Sequence, residues 1–465
     1  MASVAVAHGT KTITIEPYNR KSPFNSIRLT PVPAHNSQTD GREVTEKDLV
    51  ADASSLRAKY FPNQDIADVE KRFNIRKFQE AAPSAHNDVP VIELDSIDFS
   101  KYIEGPEGLE CRKQLAAKLE KSISTYGFFN ITNWGFDPKK LEYLRAISQS
   151  VLEIPEEDKF NYLAGARQTD LEDRTKSLGG ERGLGFKPRG YWAMQHGVRD
   201  SIEHYNLRDM NQDDYFFDPN RKYPDVVRAF LPELSEYYKF LHFQVLRRLC
   251  NLCDIILEKP EGFLWENYFK VYKNDLKNSG TGFGRLMHYL GMTEDEEKLT
   301  NKTWLRGHSD GTAFTFITSQ PILSLQIRDY YTGQWRYVGH KPNALIVNIG
   351  DAMEFITGSY FKSSIHRVIS PPEDQKKFER LVLIYFQTPK LTSVIDPDSL
   401  NSPKLQRLGY NTPEEWEKCT FADWDEEKGR LFGRKDVNDV QGDEPLLVKI
   451  FGRYHERWWQ AVKEN

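Results

Sequence analysis

The stretch LSLQIRDYYTGQWRYVGHKPNALIVNIGDAMEFITGSYFKSSIHRVIS (residues 323–370) decides the fold class. It breaks into short apolar runs: LSLQIRD (323–329), WRYVGH (335–340), ALIVNIG (344–350), MEFIT (353–357) and HRVIS (366–370). Turn residues separate them, and TGQW (332–335) has the composition of a hairpin turn. Short runs at this spacing predict strands of a sandwich or barrel. The texture extends upstream through RLMHYL (285–290) and AFTFIT (313–318), and downstream to RLVLIYF (380–386).

Outward from this block the patterns change. Residues 89–99, VPVIELDSIDF, begin with a β-branched run that reads as a strand. Residues 109–127 place apolar side chains every three to four positions and end at Gly127, which predicts a helix with a glycine cap. FFNITNWGF (128–136) reads as the next strand and its turn, and 138–155 as a helix that stops at a proline. Residues 163–190 have the composition of a long loop, with short strands expected in GYWAM (190–194) and IEHYNL (202–207). Residues 232–260 form the strongest long helical pattern, and Cys250 and Cys253 within it read as small buried residues. The expected division is an N-terminal extension over 1–85, either poorly ordered or a strap packed over the main body, with a short helix in 42–60, then a helical and strand region over 86–260. A catalytic β core over 261–390 and a partly helical tail over 391–465, with helix in PEEWEKC and KIFGRYHERWWQAV, complete it.

Composition excludes some functions. A formal net charge of -5, with no dense Lys/Arg run, argues against nucleic-acid binding. Four cysteines in 465 residues do not make a disulfide framework, so a reducing, cytoplasmic setting is expected. No stretch reaches the roughly 18 to 20 apolar residues of a membrane span, and the N-terminus carries no signal-peptide pattern. The expected partner is a small molecule; oligomeric state is not legible.

The chemistry starts at His308-Ser-Asp310. On a strand, residues i and i+2 share a face, so this His and Asp can aim at one point. A third ligand must come from another strand, and His366 opens the run HRVIS. Two histidines and one carboxylate leave three open positions on an octahedral metal, the facial triad of non-haem Fe(II) oxygenases. Arg380 opens RLVLIYF. A charge on so apolar a strand needs a partner, and a guanidinium fork suits the distal carboxylate of a 2-oxo acid.

At these residues the sequence resembles the isopenicillin-N-synthase-like family of Fe(II)/2-oxoglutarate-dependent oxygenases. The matching features are Leu325-Gln326-Ile327, Trp335, Val347 through Asp351, Lys362-Ser363 and His366-Arg367-Val368, with GHSDGTAFTFI (307–317) upstream. VPVIELDSID, STYGFFNITNWGF, LEIPEEDKF and GYWA resemble its N-terminal region in the same order, so the likeness covers residues 89–390. It implies an α+β fold, with a double-stranded β-helix (jelly-roll) core, an N-terminal helical region and a C-terminal helical tail. It implies Fe(II) on His308, Asp310 and His366, 2-oxoglutarate as cosubstrate on Arg380 and Tyr289, and O2. The default reaction is hydroxylation of a small organic molecule, with succinate and CO2 released. Val382 departs from the pattern, since the family commonly has Ser two residues after the Arg. That substitution keeps open another 2-oxo acid as cosubstrate, or an oxidase or cyclase of the same fold that uses no 2-oxoglutarate; an inactive β-barrel binding module, which the intact triad argues against, is a separate alternative.

Strand alternation from His308 and Asp310 places Phe314 and Phe316 on the metal side as candidate pocket residues, with Tyr191 and Trp192 as further substrate candidates. His204, His288 and His340 are expected in core or surface roles, Asp351 in a structural turn, and Arg367 on the face opposite the metal.

Overall fold

Two mainly antiparallel layers face each other across the active-site pocket. The computed structural model describes residues 4–8, 11–15, 42, 52–85, 89–164, 183–190, 198–330, 332–432 and 447–455. In chain order the strands are β1 (Val4–His8), β2 (Lys11–Ile15), β3 (Val91–Ile92), β4 (Ser96–Asp98), β5 (Phe128–Thr132), β6 (Gly185–Lys187), β7 (Ile202–Arg208) and β8 (Thr281–Tyr289). They continue with β9 (Thr303–His308), β10 (Phe314–Thr318), β11 (Leu325–Arg328), β12 (Trp335–Val338), β13 (Leu345–Ile349), β14 (His366–Ile369), β15 (Arg380–Thr388), β16 (Leu447–Ile450) and β17 (Arg453–His455). The larger layer has the order β4-β5-β13-β10-β15-β8-β7-β6, and the smaller β3-β12-β11-β14-β9. Strands β8 to β15 divide equally between the two, as a jelly-roll requires.

Each face of the larger layer buries a different core. Inward, Met287, Tyr289, Ile317, Ile346, Val382, Ile384 and Phe386 meet Leu325, Ile327 and Val368 of the smaller layer. Outward, Phe314, Phe316, Val347, Leu383 and Tyr385 pack under helices 109–125, 138–152 and 231–256. The last of these contains a π-helical stretch at Leu241–Leu246, which holds His242 against β15. Each fully buried Leu or Phe side chain contributes roughly 1.5–3 kcal/mol, so this outer core supplies much of the stability. Cys250 and Cys253 are both buried on the long helix. Residues 52–85 run over the body as a strap. Leu56, Val69 and Phe78 are buried, and Arg57 makes a two-pronged bond to Glu233 at 2.7 Å.

Two local expectations are corrected. MEFIT is not a strand: Asp351–Ile356 is a helical turn whose six residues are all buried. Burial on all sides erased the alternation that separates strand from helix in so short a run. In the tail, Pro413–Cys419 carries no helix, and KIFGRYH forms the β16–β17 hairpin. Phe451 (φ 50°) and Gly452 (φ 78°) make the two left-handed positions of its turn. A Cβ on Gly452 would lie 2.0 Å from the Glu415 carbonyl oxygen, so the turn is fitted to its neighbour. The helices of the tail are Pro397–Leu400, Pro403–Leu408 and Phe421–Phe432. β16 also pairs with β1, which joins the two ends of the chain in one sheet.

Candidate active site

The antiparallel pairing of β9 with β14 sets His308 directly opposite His366, with ring centres 4.4 Å apart. Asp310 stands just past the end of β9 and turns its carboxylate between them. His308 Nε2 lies 4.0 Å from Asp310 Oδ1, and His366 Nε2 lies 3.9 Å from Oδ2. All three donor atoms fall within 4.8 Å of one another, a spacing that fits donors around one small cation.

Hydrogen bonds fix which atoms face that point. His308 Nδ1 is 2.9 Å from the Arg306 carbonyl, and His366 Nδ1 is 3.2 Å from the Ser364 carbonyl. A carbonyl only accepts, so each Nδ1 carries the proton and each Nε2 keeps its lone pair for a metal. Burial pushes His308 down to about 3, helped by the neighbouring His366, which keeps the ring neutral. Burial alone would raise the Asp310 carboxyl. His366, His308 and the hydrogen bonds from Asn348 (2.8 Å) and Thr315 (2.7 Å) outweigh it and hold the group below the usual carboxylate range.

A Cβ on Gly311 would lie 2.1 Å from Lys428 Nζ, so the tip of the Lys428 side chain, from helix Phe421–Phe432, reaches the turn after β9. The backbone N–H of Asp351 donates to the Asp310 carbonyl at 2.7 Å. Its side chain accepts from Ser363 (2.6 Å) and bonds His455 of the tail hairpin, the structural role expected of it.

A second feature lies deeper, on β8 and β15. Arg380 and Tyr289 are cross-strand partners, and the guanidinium sits 4.3 Å from the centre of the Tyr289 ring. Arg380 is 5% exposed, and its Nη1 has no hydrogen-bond partner. Among the described residues no carboxylate pairs with it. A buried cation in that state is costly unless a ligand anion completes it. Val382 shares the inward face two residues on, beside Met287.

The remaining candidates separate. Phe314 and Phe316 point away from the metal side and are fully buried in the outer core, where Phe314 meets Phe269. The alternation argument failed because residues 309–313 form a turn that resets the strand parity. Thr315, between the two phenylalanines, faces inward instead. Tyr191 and Trp192 lie outside the described residues. His288 pairs with Glu379 at 3.2 Å and His340 with Ser319 at 2.9 Å, while Arg367 turns away from the metal onto the Trp335 ring. His204 is buried on the inward face with both ring nitrogens unpartnered. Sequence reasoning missed Thr315 and Asn348 as supports of Asp310, and Phe128, whose ring meets His366 edge-on at 5.4 Å. Only the NIGD segment held a signal, because a polar Asn348 interrupts an apolar strand.

Comparison with known proteins agrees with this geometry. The model of the 2OG-Fe(II) oxygenase superfamily matches residues 284–389, and that of the N-terminal region of non-haem dioxygenases in morphine synthesis matches residues 89–224. A 2-oxoglutarate-dependent dioxygenase of Gibberella zeae is 30% identical over 295 residues, covering 62% of this chain and 77% of that protein. The chain belongs to the 2OG-Fe(II) oxygenase superfamily. The 2-oxoglutarate-dependent dioxygenase citB of Monascus ruber is 24% identical to this oxygenase over 339 residues, 69% of the chain and 90% of citB. The crystal structure of JOX2 with 2OG, Fe and JA shares the fold at a TM-score of 0.53 and 22% identity, covering 83% of this oxygenase and 94% of that chain. The oxygenase is accordingly a 2-oxoglutarate-dependent dioxygenase with iron as its metal. The residues fit both groups: two imidazole lone pairs and a carboxylate for the metal, and an uncompensated buried guanidinium for a dicarboxylate. No helix among the described residues is long and apolar enough to cross a membrane.

Proposed function

We propose that His308, Asp310 and His366 hold the Fe(II), that Arg380 and Tyr289 hold the distal carboxylate of 2-oxoglutarate, and that the enzyme hydroxylates a C–H bond of a small organic molecule. The opposed histidine pair, with both Nδ1 protons committed to carbonyls, is the observation that carries this reading. When bound, iron and 2-oxoglutarate supply the oxidation of the C–H bond, with succinate and CO2 as coproducts. The chain's own task is positional. Thr315 and Asn348 hold Oδ2 of Asp310 and so fix the carboxylate between the rings. Arg380 provides a charged fork at one end of the pocket, and the Tyr289 ring keeps that fork in place. Apolar residues around them, Met287, Val382 and Ile384, exclude water and strengthen each charge interaction. All four cysteines are free thiols, which supports a reducing, cytoplasmic setting.

The test is an anaerobic titration of the Fe(II)-loaded protein with 2-oxoglutarate, read by the visible metal-to-ligand charge-transfer band. The expected result is a saturable band that disappears in His308→Ala. In Arg380→Ala the midpoint should rise about 10- to 100-fold, from the roughly 1.5–3 kcal/mol of a charged hydrogen bond. Bound iron with no band in the wild type would sink the assignment of these residues.

A further inference from the structure

Cross-strand pairing sets two neighbouring rows on the inward face of the larger layer. In the first, Arg380 opposes Tyr289 and Tyr289 opposes Ile202. In the second, two residues along each strand, Val382 opposes Met287 and Met287 opposes His204. Directly opposed residues share a face, and Ile202, Met287, Tyr289 and Val382 all belong to the inward core. The His204 ring therefore points into the same space. His204 is also the diagonal neighbour of Tyr289, a separation of about 7–8 Å along the sheet. The Arg380 guanidinium leans off β15 to lie 4.3 Å from the centre of the Tyr289 ring, which places it over β8, one strand from His204.

Among the described residues, two buried side chains of β7, β8 and β15 present unpartnered nitrogens on this face: Arg380 at Nη1, and His204 at both Nδ1 and Nε2. His204 is 1% exposed, so bulk water does not serve the ring. Buried polar groups are nearly always paired, and an imidazole with two orphan nitrogens is a costly exception unless a ligand completes it. Burial, then the charges of Arg285 and Lys187, hold His204 well below the ordinary histidine range. The ring is therefore neutral, with one N–H to donate and one lone pair.

The ligand that suits this donor is already placed next to it. A carboxylate accepts at about four lone-pair positions, and one guanidinium fork fills two of them. The others need donors of their own. Val382 and Met287, the side chains beside Arg380 and Tyr289 in the second row, carry no N–H or O–H. His204 is the next group in that row, and it has an N–H to give.

Resting on the assignment of Arg380 to 2-oxoglutarate made above, we propose that His204 completes the clamp on the distal carboxylate of 2-oxoglutarate, donating its ring N–H to the oxygen that faces β7. The clamp then spans three strands, β15, β8 and β7. Met287 lies between, and its unbranched thioether side chain is the one that shifts as the carboxylate reaches the ring. His204 meets only the distal end of the cosubstrate. It therefore discriminates the dicarboxylate from a 2-oxo acid of the same length that ends in a methyl group.

The test is an anaerobic titration of the full-length Fe(II)-loaded protein with 2-oxoglutarate and, separately, with 2-oxopentanoate, which keeps the carbon chain and lacks the distal carboxylate. Both are read by the visible charge-transfer band. His204→Phe should weaken 2-oxoglutarate by about ten-fold, the low end for a hydrogen bond to a charged group, and leave 2-oxopentanoate within about two-fold. His204→Leu, smaller and equally without a donor, should behave in the same way. His204→Gln, which keeps an N–H, should bind 2-oxoglutarate more tightly than either. The ratio between the two acids is measured on the folded protein, so a loss of stability does not move it. Equal weakening of both acids would give the ring a structural role, and unchanged binding of both would put it out of reach of the carboxylate; each overturns the proposal. A wild-type preference for 2-oxoglutarate that Arg380→Ala removes and the His204 variants keep would overturn it and leave the active-site assignment standing. A wild type without that preference would overturn both.

Discussion

The two faces of β15 and its neighbours do opposite work. The outward face is apolar and closed: Phe314, Phe316, Leu383 and Tyr385 are buried under helices, and some of the polar atoms there find partners inside the protein. Tyr385, for instance, bonds both Asn211 and His242. The inward face mixes apolar residues with polar groups that could meet ligands: the Nε2 atoms of His308 and His366, and Arg380 Nη1. The same strands therefore carry stability on one side and chemistry on the other. Thr315 and Phe316 are adjacent in sequence yet belong to different functions, because successive side chains on a strand oppose each other.

The sharpest break of that comparison is Phe316→Ala. It should lower the unfolding free energy by about 4 kcal/mol, as removal of a buried aromatic does, while the folded fraction binds iron normally. Chemical denaturation and metal titration on one preparation check both halves. A large loss of iron affinity would place Phe316 on the metal side after all.

Part of the acid sensitivity should come from the outward face. Burial holds His242 down at about 4, against 6.5 for an ordinary histidine, only partly offset by its bonds to Phe269 and Gln387. A histidine depressed on folding contributes stability that is complete above pH 6.5 and is lost as pH falls from there through about 4. The loss is on the order of 3 kcal/mol. The urea midpoint should fall across that window, and His242→Gln should flatten the fall. An unchanged slope in the variant would assign the acid sensitivity elsewhere.

On the inward face, Asn348→Ala should weaken iron binding by about 10- to 100-fold, the usual cost of removing a group that orients a metal ligand, with a small change in stability. Thr315→Val should act in the same direction. Smallest of all is Val382→Ser. A hydroxyl two residues from Arg380 adds one neutral hydrogen bond of about 1 kcal/mol, so 2-oxoglutarate should bind roughly five-fold more tightly. No gain would mean that the pocket at Val382 is too far from the distal carboxylate to matter.

The β texture, the long helix over 231–256 and the triad pattern were all legible from spacing. The residue types of HxD and the later His366 suit the proposed iron site, and Arg380 stood out as a charge on an apolar strand. What failed did so for local reasons. MEFIT, buried on every side, lost the alternation that would have marked it, and a glycine turn in the tail turned an expected helix into a hairpin.

By itself the sequence determined which residues are chemically able to hold iron and a dicarboxylate, and that short strands would carry them. Only the tertiary structure decided which faces meet. A five-residue turn between His308 and Phe314 resets parity, and cross-strand register sets Phe386 rather than Phe314 beside Thr315. Register is a relation between strands distant in the chain, fixed by packing and hydrogen bonding together, and no single run of residues encodes it.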